Sequence, residues 1–161
     1  MGKFTEEIIR KTNEAKGIND VKDWIWMAGE LLRRTSSPEY KSGTREIDDE
    51  EIAELERAEL KEALLKALSR NSEPGYVCSL LYALSYTYDR DLLPLWVQYL
   101  SEHLWNLKRS NAIVHTALIA LRDLDELVRE AGPGGRSLAD VDRNIEDAQR
   151  YLLTRGIKIP W

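Results

Sequence analysis

The stretch Ser85–Trp96, SYTYDRDLLPLW, decides how the chain is read, because it sets Asp89, Arg90 and Asp91 between two apolar runs. Upstream, Val77, Leu80, Leu81, Leu84 and Tyr88 recur at the spacing of one helix face. Downstream, Trp96, Leu100, His103, Leu104 and Leu107 do the same. Asp91 suits the cap of the second helix, and Pro94 falls in its first turn, where a missing N–H costs no intrahelical bond. The charged triplet therefore reads as a corner between two helices and not as a loop that does chemistry.

Working outward, the same period recurs and sustained strand alternation does not. Phe4, Ile8 and Ile9 open a first helix that stops near Gly17. Val21, Trp24, Ile25, Ala28, Leu31 and Leu32 form one face of a second, opened by Asn19 or Asp20. Thr35 to Glu46, TSSPEYKSGTRE, is rich in turn formers and predicts a linker. Asp48 with Glu51 forms a capping box for a third helix with its apolar arc at Ile52, Ala53, Leu60, Ala63, Leu64, Ala67 and Leu68. Ile113, Ala117, Ala120, Leu121, Leu124, Leu127 and Val128 define a sixth helix, which GPGG breaks at Gly132. Ser137 and Asp140 cap a seventh.

Thr5, Asp48, Asp91 and Ser137, the candidate caps of alternate helices, lie 43, 43 and 46 residues apart. One helix pair per period falls within the roughly 40–47 residues of HEAT and armadillo arrays. The expectation is a single all-α domain over 1–161, with about seven helices stacked as antiparallel pairs. Residues 35–46 would be the linker and 48–155 the pairs, arranged as an α-solenoid or an irregular bundle.

The run YVCSLLYALSYTYDRDLLPLWVQYL resembles a HEAT-type junction, and SEHLWNLKRSNAIVHTALIALRDLDE is similar to the helix pair that follows it in small bacterial HEAT-like proteins. The resemblance covers Tyr76 to Glu126. Some such proteins are immunity proteins of polymorphic-toxin and contact-dependent inhibition systems, which work by blocking a surface. What the resemblance implies is an inhibitor that occludes a toxin, with no catalytic residue to carry over.

Composition excludes several classes. The 161 residues carry a net charge of −5 and no basic stripe to neutralise phosphates, which argues against direct nucleic-acid binding. Nine acidic residues against two basic ones fill Glu46 to Glu62, a field suited to a basic partner such as a nuclease-type toxin. No apolar run reaches a membrane span, and MGKFTEEIIRK has no signal-peptide core, so a cytoplasmic protein is expected. The single Cys78 forms no internal disulfide and fits a reducing compartment.

Chemistry is thinly supplied. His103 and His115 show no metal-ligand spacing, and His103 falls in an apolar stripe where a hydrogen-bonded core imidazole is expected. GPGGRS lacks the spacing of a phosphate loop, and Cys78 reads as an inert buried thiol. No enzyme, metal or cofactor is expected. Binding candidates are clearer. Glu51, Leu55, Glu59 and Glu62 share a stripe opposite the apolar arc of their helix, where Leu55 could be a hot spot or pack on the linker. Tyr82, Tyr86, Trp105 and Trp26 lie opposite their main stripes, suited to an interface or to a neighbouring repeat. The expected function is toxin inhibition; the alternative is a helical-repeat scaffold holding two partners.

Overall fold

The computed structural model of the chain describes residues 2–49, 52, 54–105, 111–124 and 141–157. Among them are eight α-helices and one 3₁₀ turn, and no strand. These are α1 (Lys3–Glu14), α2 (Ile18–Ser36), α3 (Arg45–Asp49), α4 (Glu54–Ser69), α5 (Pro74–Ser85), α6 (Leu93–Trp105), α7 (Asn111–Asp123) and α8 (Val141–Thr154), with the 3₁₀ turn at Arg90–Leu92. Backbone contacts gather them into two compact units, Met1–Thr87 and Tyr88–Trp161.

In the first unit α2 packs along α5, α1 lies against α2 and α4, and α4 closes on α5 and α2. The faces read from periodicity are the buried ones: Val21, Ile25, Leu31 and Leu32 of α2, Leu60 and Leu64 of α4, Leu80 and Leu84 of α5. Burial of such side chains stabilises by about 1.5–3 kcal/mol each. In the second unit α6 packs on α7 and α8, and Trp96, Leu100, Leu104, Ile113, Ala117, Leu121 and Leu152 are buried.

The helix starts differ from the expected caps. Thr5 is buried inside α1, whose N-cap position is Gly2. Asp48, expected to cap the third helix, lies within α3, which starts inside the stretch expected to be linker, so an eighth helix appears. Its carboxylate accepts from the Ser42 and Gly43 amides at 2.8 and 3.1 Å and from the Ser42 hydroxyl at 2.9 Å. Those bonds, the Ser42 amide first, hold its pKa below the usual carboxylate value. A carboxylate engaged by the preceding loop closes that loop and does not cap α4. Asp91 sits in the 3₁₀ turn ahead of α6, and Ser137 and Gly132 lie outside the described residues. The 43-residue interval is therefore not a spacing of helix caps.

The corner falls where the sequence put it, but Tyr88, read as part of the stripe before it, lies beyond the helix end. Helix α5 ends at Ser85, Tyr88 takes a left-handed backbone (φ 53°), and the Leu92 amide donates to the Asp89 carbonyl at 3.1 Å. Arg90 Nη1 donates to the Leu124 carbonyl at 2.6 Å, so this arginine serves the end of α7. At the end of the first unit, Arg57 of α4 donates to Thr35 Oγ1 (3.0 Å) and to the Thr87 carbonyl (2.9 Å). Ser36 Oγ adds a bond to the same carbonyl at 3.2 Å. Arg57→Met keeps the stem and removes both bonds. A loss of about 1–2 kcal/mol is expected, since bonds to charged donors contribute about 1.5–3 kcal/mol and this site is only half-buried. Chemical denaturation followed by hydrogen exchange within α4 and α5 checks it; an unchanged midpoint would contradict it.

Candidate functional site

Helix α5 starts where Glu73 accepts from the Gly75 and Tyr76 amides at 3.0 and 2.9 Å, with Pro74 in the first turn. Tyr82 lies about two turns further along this helix, and Tyr86 is its C-cap. On α2 the matching device is Gly29. A Cβ placed there would meet the Ala83 Cα at 3.1 Å and its Cβ at 3.2 Å. The two helices thus approach backbone to backbone at Gly29 and Ala83, and larger side chains on either side stand around the contact. A glycine inside a helix costs about 1 kcal/mol relative to alanine, and close approach is the return.

Around this contact lies an open cleft of about 230 Å3, floored by Ile25, Gly29 and Ala83 and walled by Trp26, Tyr82 and Tyr86. Trp26 is 47% exposed and Tyr82 52% exposed, far from the buried state of ordinary core aromatics. The tyrosine rings meet edge to face at 5.3 Å, and Tyr86 Oη donates to Tyr82 Oη at 2.8 Å. Burial first, then the hydrogen bond with Tyr82, raises the Tyr86 pKa well above its ordinary value, so Tyr86 keeps its proton near neutral pH. Cys78 and Ser79 complete one end with Lys22. Cys78 is half-buried on the cleft wall, in place of the buried thiol expected.

A second aromatic arrangement adjoins it. The Arg33 guanidinium lies over the Tyr40 ring at 3.8 Å and 5.1 Å from the centre of the Tyr86 ring. Tyr40 is anchored from below by donating to Glu30 Oε2 at 2.7 Å, and Glu30 is buried. That hydrogen bond, ahead of burial, raises the Tyr40 pKa.

The acidic stripe fares differently. Leu55 is 72% exposed, so it does not pack on the linker, and Glu59 and Glu62 of α4 are exposed beside it. Glu51 lies outside the described residues, as does the side chain of Trp105 at the end of α6. Sequence periodicity thus located Tyr82, Tyr86 and Trp26, and the structure brings those three together. It missed Gly29, Arg33 and Tyr40. A glycine in mid-helix was the one available signal.

No cluster of three His, Cys, Asp or Glu side chains that could hold a metal occurs among the described residues. None of the described helices is long and apolar enough to cross a membrane. His103 is half-buried and stacks on Tyr99 with centroids 6.2 Å apart, and its Nδ1 is buried without the hydrogen bond expected of a core imidazole. Burial lowers its pKa, against an upward pull from Glu102. A histidine whose folded pKa lies below its unfolded value of about 6.5 leaves the folded state binding fewer protons. Stability is then fully present above that pH and falls as pH drops through it. His103→Gln should flatten the loss as pH falls below about 6.5, as read from denaturation midpoints at each pH; equal slopes for both proteins would contradict it.

Comparison of the chain with protein-family models, with curated proteins and with solved structures finds no match.

Proposed function

We propose that this chain is a protein-binding module that grips one large apolar side chain of a partner in the α2–α5 cleft. The observation that carries this reading is the exposure of Trp26 and Tyr82 around an apolar floor opened by Gly29. Aromatic residues lining a concave site supply large contact area at low conformational cost, the usual make-up of an interface hot spot. In its specific form, drawn from the resemblance of Tyr76–Glu126 to immunity proteins, the bound partner is a toxin domain whose working surface is blocked in the cytoplasm. No reacting group is needed for such a task.

A second reading, a scaffold joining two partners, is favoured by Leu55, which stands exposed with Glu59 and Glu62 on α4. A basic partner would suit that face.

The test is affinity for a partner that co-purifies stoichiometrically. The double change Trp26→Ala and Tyr82→Ala should weaken binding more than thirtyfold, since hot-spot truncations cost about 2 kcal/mol or more. Leu55→Ala with Glu59→Lys should leave that partner bound. The reverse pattern would move the site to α4, and loss of two different partners by the two sets of changes would favour the scaffold.

A further inference from the structure

Lys22, Trp26, Gly29 and Arg33 follow one another at intervals of four, three and four residues, so they share one face of α2. That face spans about 16 Å at 1.5 Å per residue, with a cation at each end and apolar surface between. Among the described residues no acidic side chain lines the cleft. Of the carboxylates on α2, Glu30 is buried and engaged by the Tyr40 hydroxyl, and Asp23 is exposed next to Lys22, so Arg33 is the cation on which the charge argument rests.

Arg33 is the unusual member. Its guanidinium is laid against Tyr40 and close to Tyr86, yet it makes no hydrogen bond or ion pair among the described residues. A stacked guanidinium is already oriented, and its N–H edges match a carboxylate in the bidentate geometry that Lys cannot reproduce. Stacking on a neutral tyrosine also lowers the entropy lost when a ligand arrives.

We infer that the occupant of the cleft is an amphipathic helical segment of a partner protein, with one large apolar residue entering between Trp26 and Tyr82 and an Asp or Glu one turn away pairing with Arg33. Charge complementarity at Arg33 selects it: an acidic residue there meets an oriented guanidinium, and a basic one would meet a like charge. The one-turn spacing follows from Arg33 lying one turn beyond Gly29. The inference rests on the cleft being the binding face.

The experiment is selection of a randomised 16-residue peptide library displayed on phage, using the full-length chain as bait. Parallel baits carry Arg33→Gln, Arg33→Lys, or Trp26→Ala with Tyr82→Ala, each first shown to melt as the wild type does. The wild-type bait should enrich peptides with a Trp, Phe or Leu and an Asp or Glu three or four positions away. For a synthetic peptide from that set, changing the acid to its amide should weaken binding at least tenfold on wild type and less than twofold on Arg33→Gln. Arg33→Lys should fall between. Peptides that require Trp26 and Tyr82 but gain nothing from the acid would overturn the inference while leaving the cleft reading intact. Enrichment that is the same on the Trp26→Ala, Tyr82→Ala bait would remove both. Self-association of the wild-type chain in sedimentation velocity, abolished equally by Leu55→Ala and by Tyr82→Ala, would make a second copy the occupant and overturn the partner helix.

Discussion

Truncating Trp96 to alanine is expected to cost about 3–5 kcal/mol, the largest stability loss of any single change considered. Trp96 is 2% exposed and stands on the α6 face shared with Leu100 and Leu104, against α7 and α8. Removing the indole loses its transfer free energy and leaves a cavity that rigid helices only partly refill. Native domains are stable by only about 5–15 kcal/mol, so the variant gives up a large fraction of the total. Hydrogen exchange of α6 and α7 amides should accelerate by about two to four orders of magnitude, at about 1.36 kcal/mol per tenfold, and Trp96→Phe should recover much of the loss. A cost below about 1 kcal/mol would mean that the indole does not anchor this unit.

Gly29→Leu is expected to cost about 3 kcal/mol and to abolish partner binding. The Ala83 backbone, 3.1 Å from where the new Cβ would sit, has no side-chain freedom with which to yield. Overpacking of that kind costs about 1–3 kcal/mol, and backbone-on-backbone contact belongs at the upper end. The leucine branch would also fill the floor of the cleft. Gly29→Ala is the informative control. It gains about 1 kcal/mol of helix propensity and loses a few tenths of an ångström of clearance, so its stability should change little. Thermal melts and partner affinity on both variants separate the two effects. If Gly29→Leu folds and binds as the wild type does, Gly29 does not shape a site.

The helical stripes were legible because each was set by local spacing. Ile25, Leu31 and Leu32, Leu60 and Leu64, Leu80 and Leu84, and Trp96 and Leu100 are buried where a period of 3.6 puts them. Helix starts were less legible, since a cap depends on which amide reaches the side chain first. Asp48 had Ser42 and Gly43 within reach, so its carboxylate closed the preceding loop and the even interval from Thr5 to Asp91 lost its meaning.

The site was half legible. Periodicity put Tyr82, Tyr86 and Trp26 away from the core faces, but whether another repeat covered them was a tertiary matter. The cleft exists because Gly29 meets Ala83, residues 54 apart in sequence. Tyr40 reaches Arg33 from the segment read as linker, and no period marks a side chain that folds back from a loop. Leu55, by contrast, was left open between packing and display, and its exposure resolves it as displayed.

The central claim is that partners are held at the α2–α5 cleft. Its most direct test is photo-crosslinking from p-benzoylphenylalanine placed at Tyr82 and, in a separate chain, at Leu153, a 61% exposed residue of α8 in the second unit. With the chain expressed in its native cells, position 82 should trap one predominant protein and position 153 should not. Trp26→Ala in the same chain should suppress the product. Equal trapping from both positions, or trapping from a probe at Leu55 with none from Tyr82, would contradict the account.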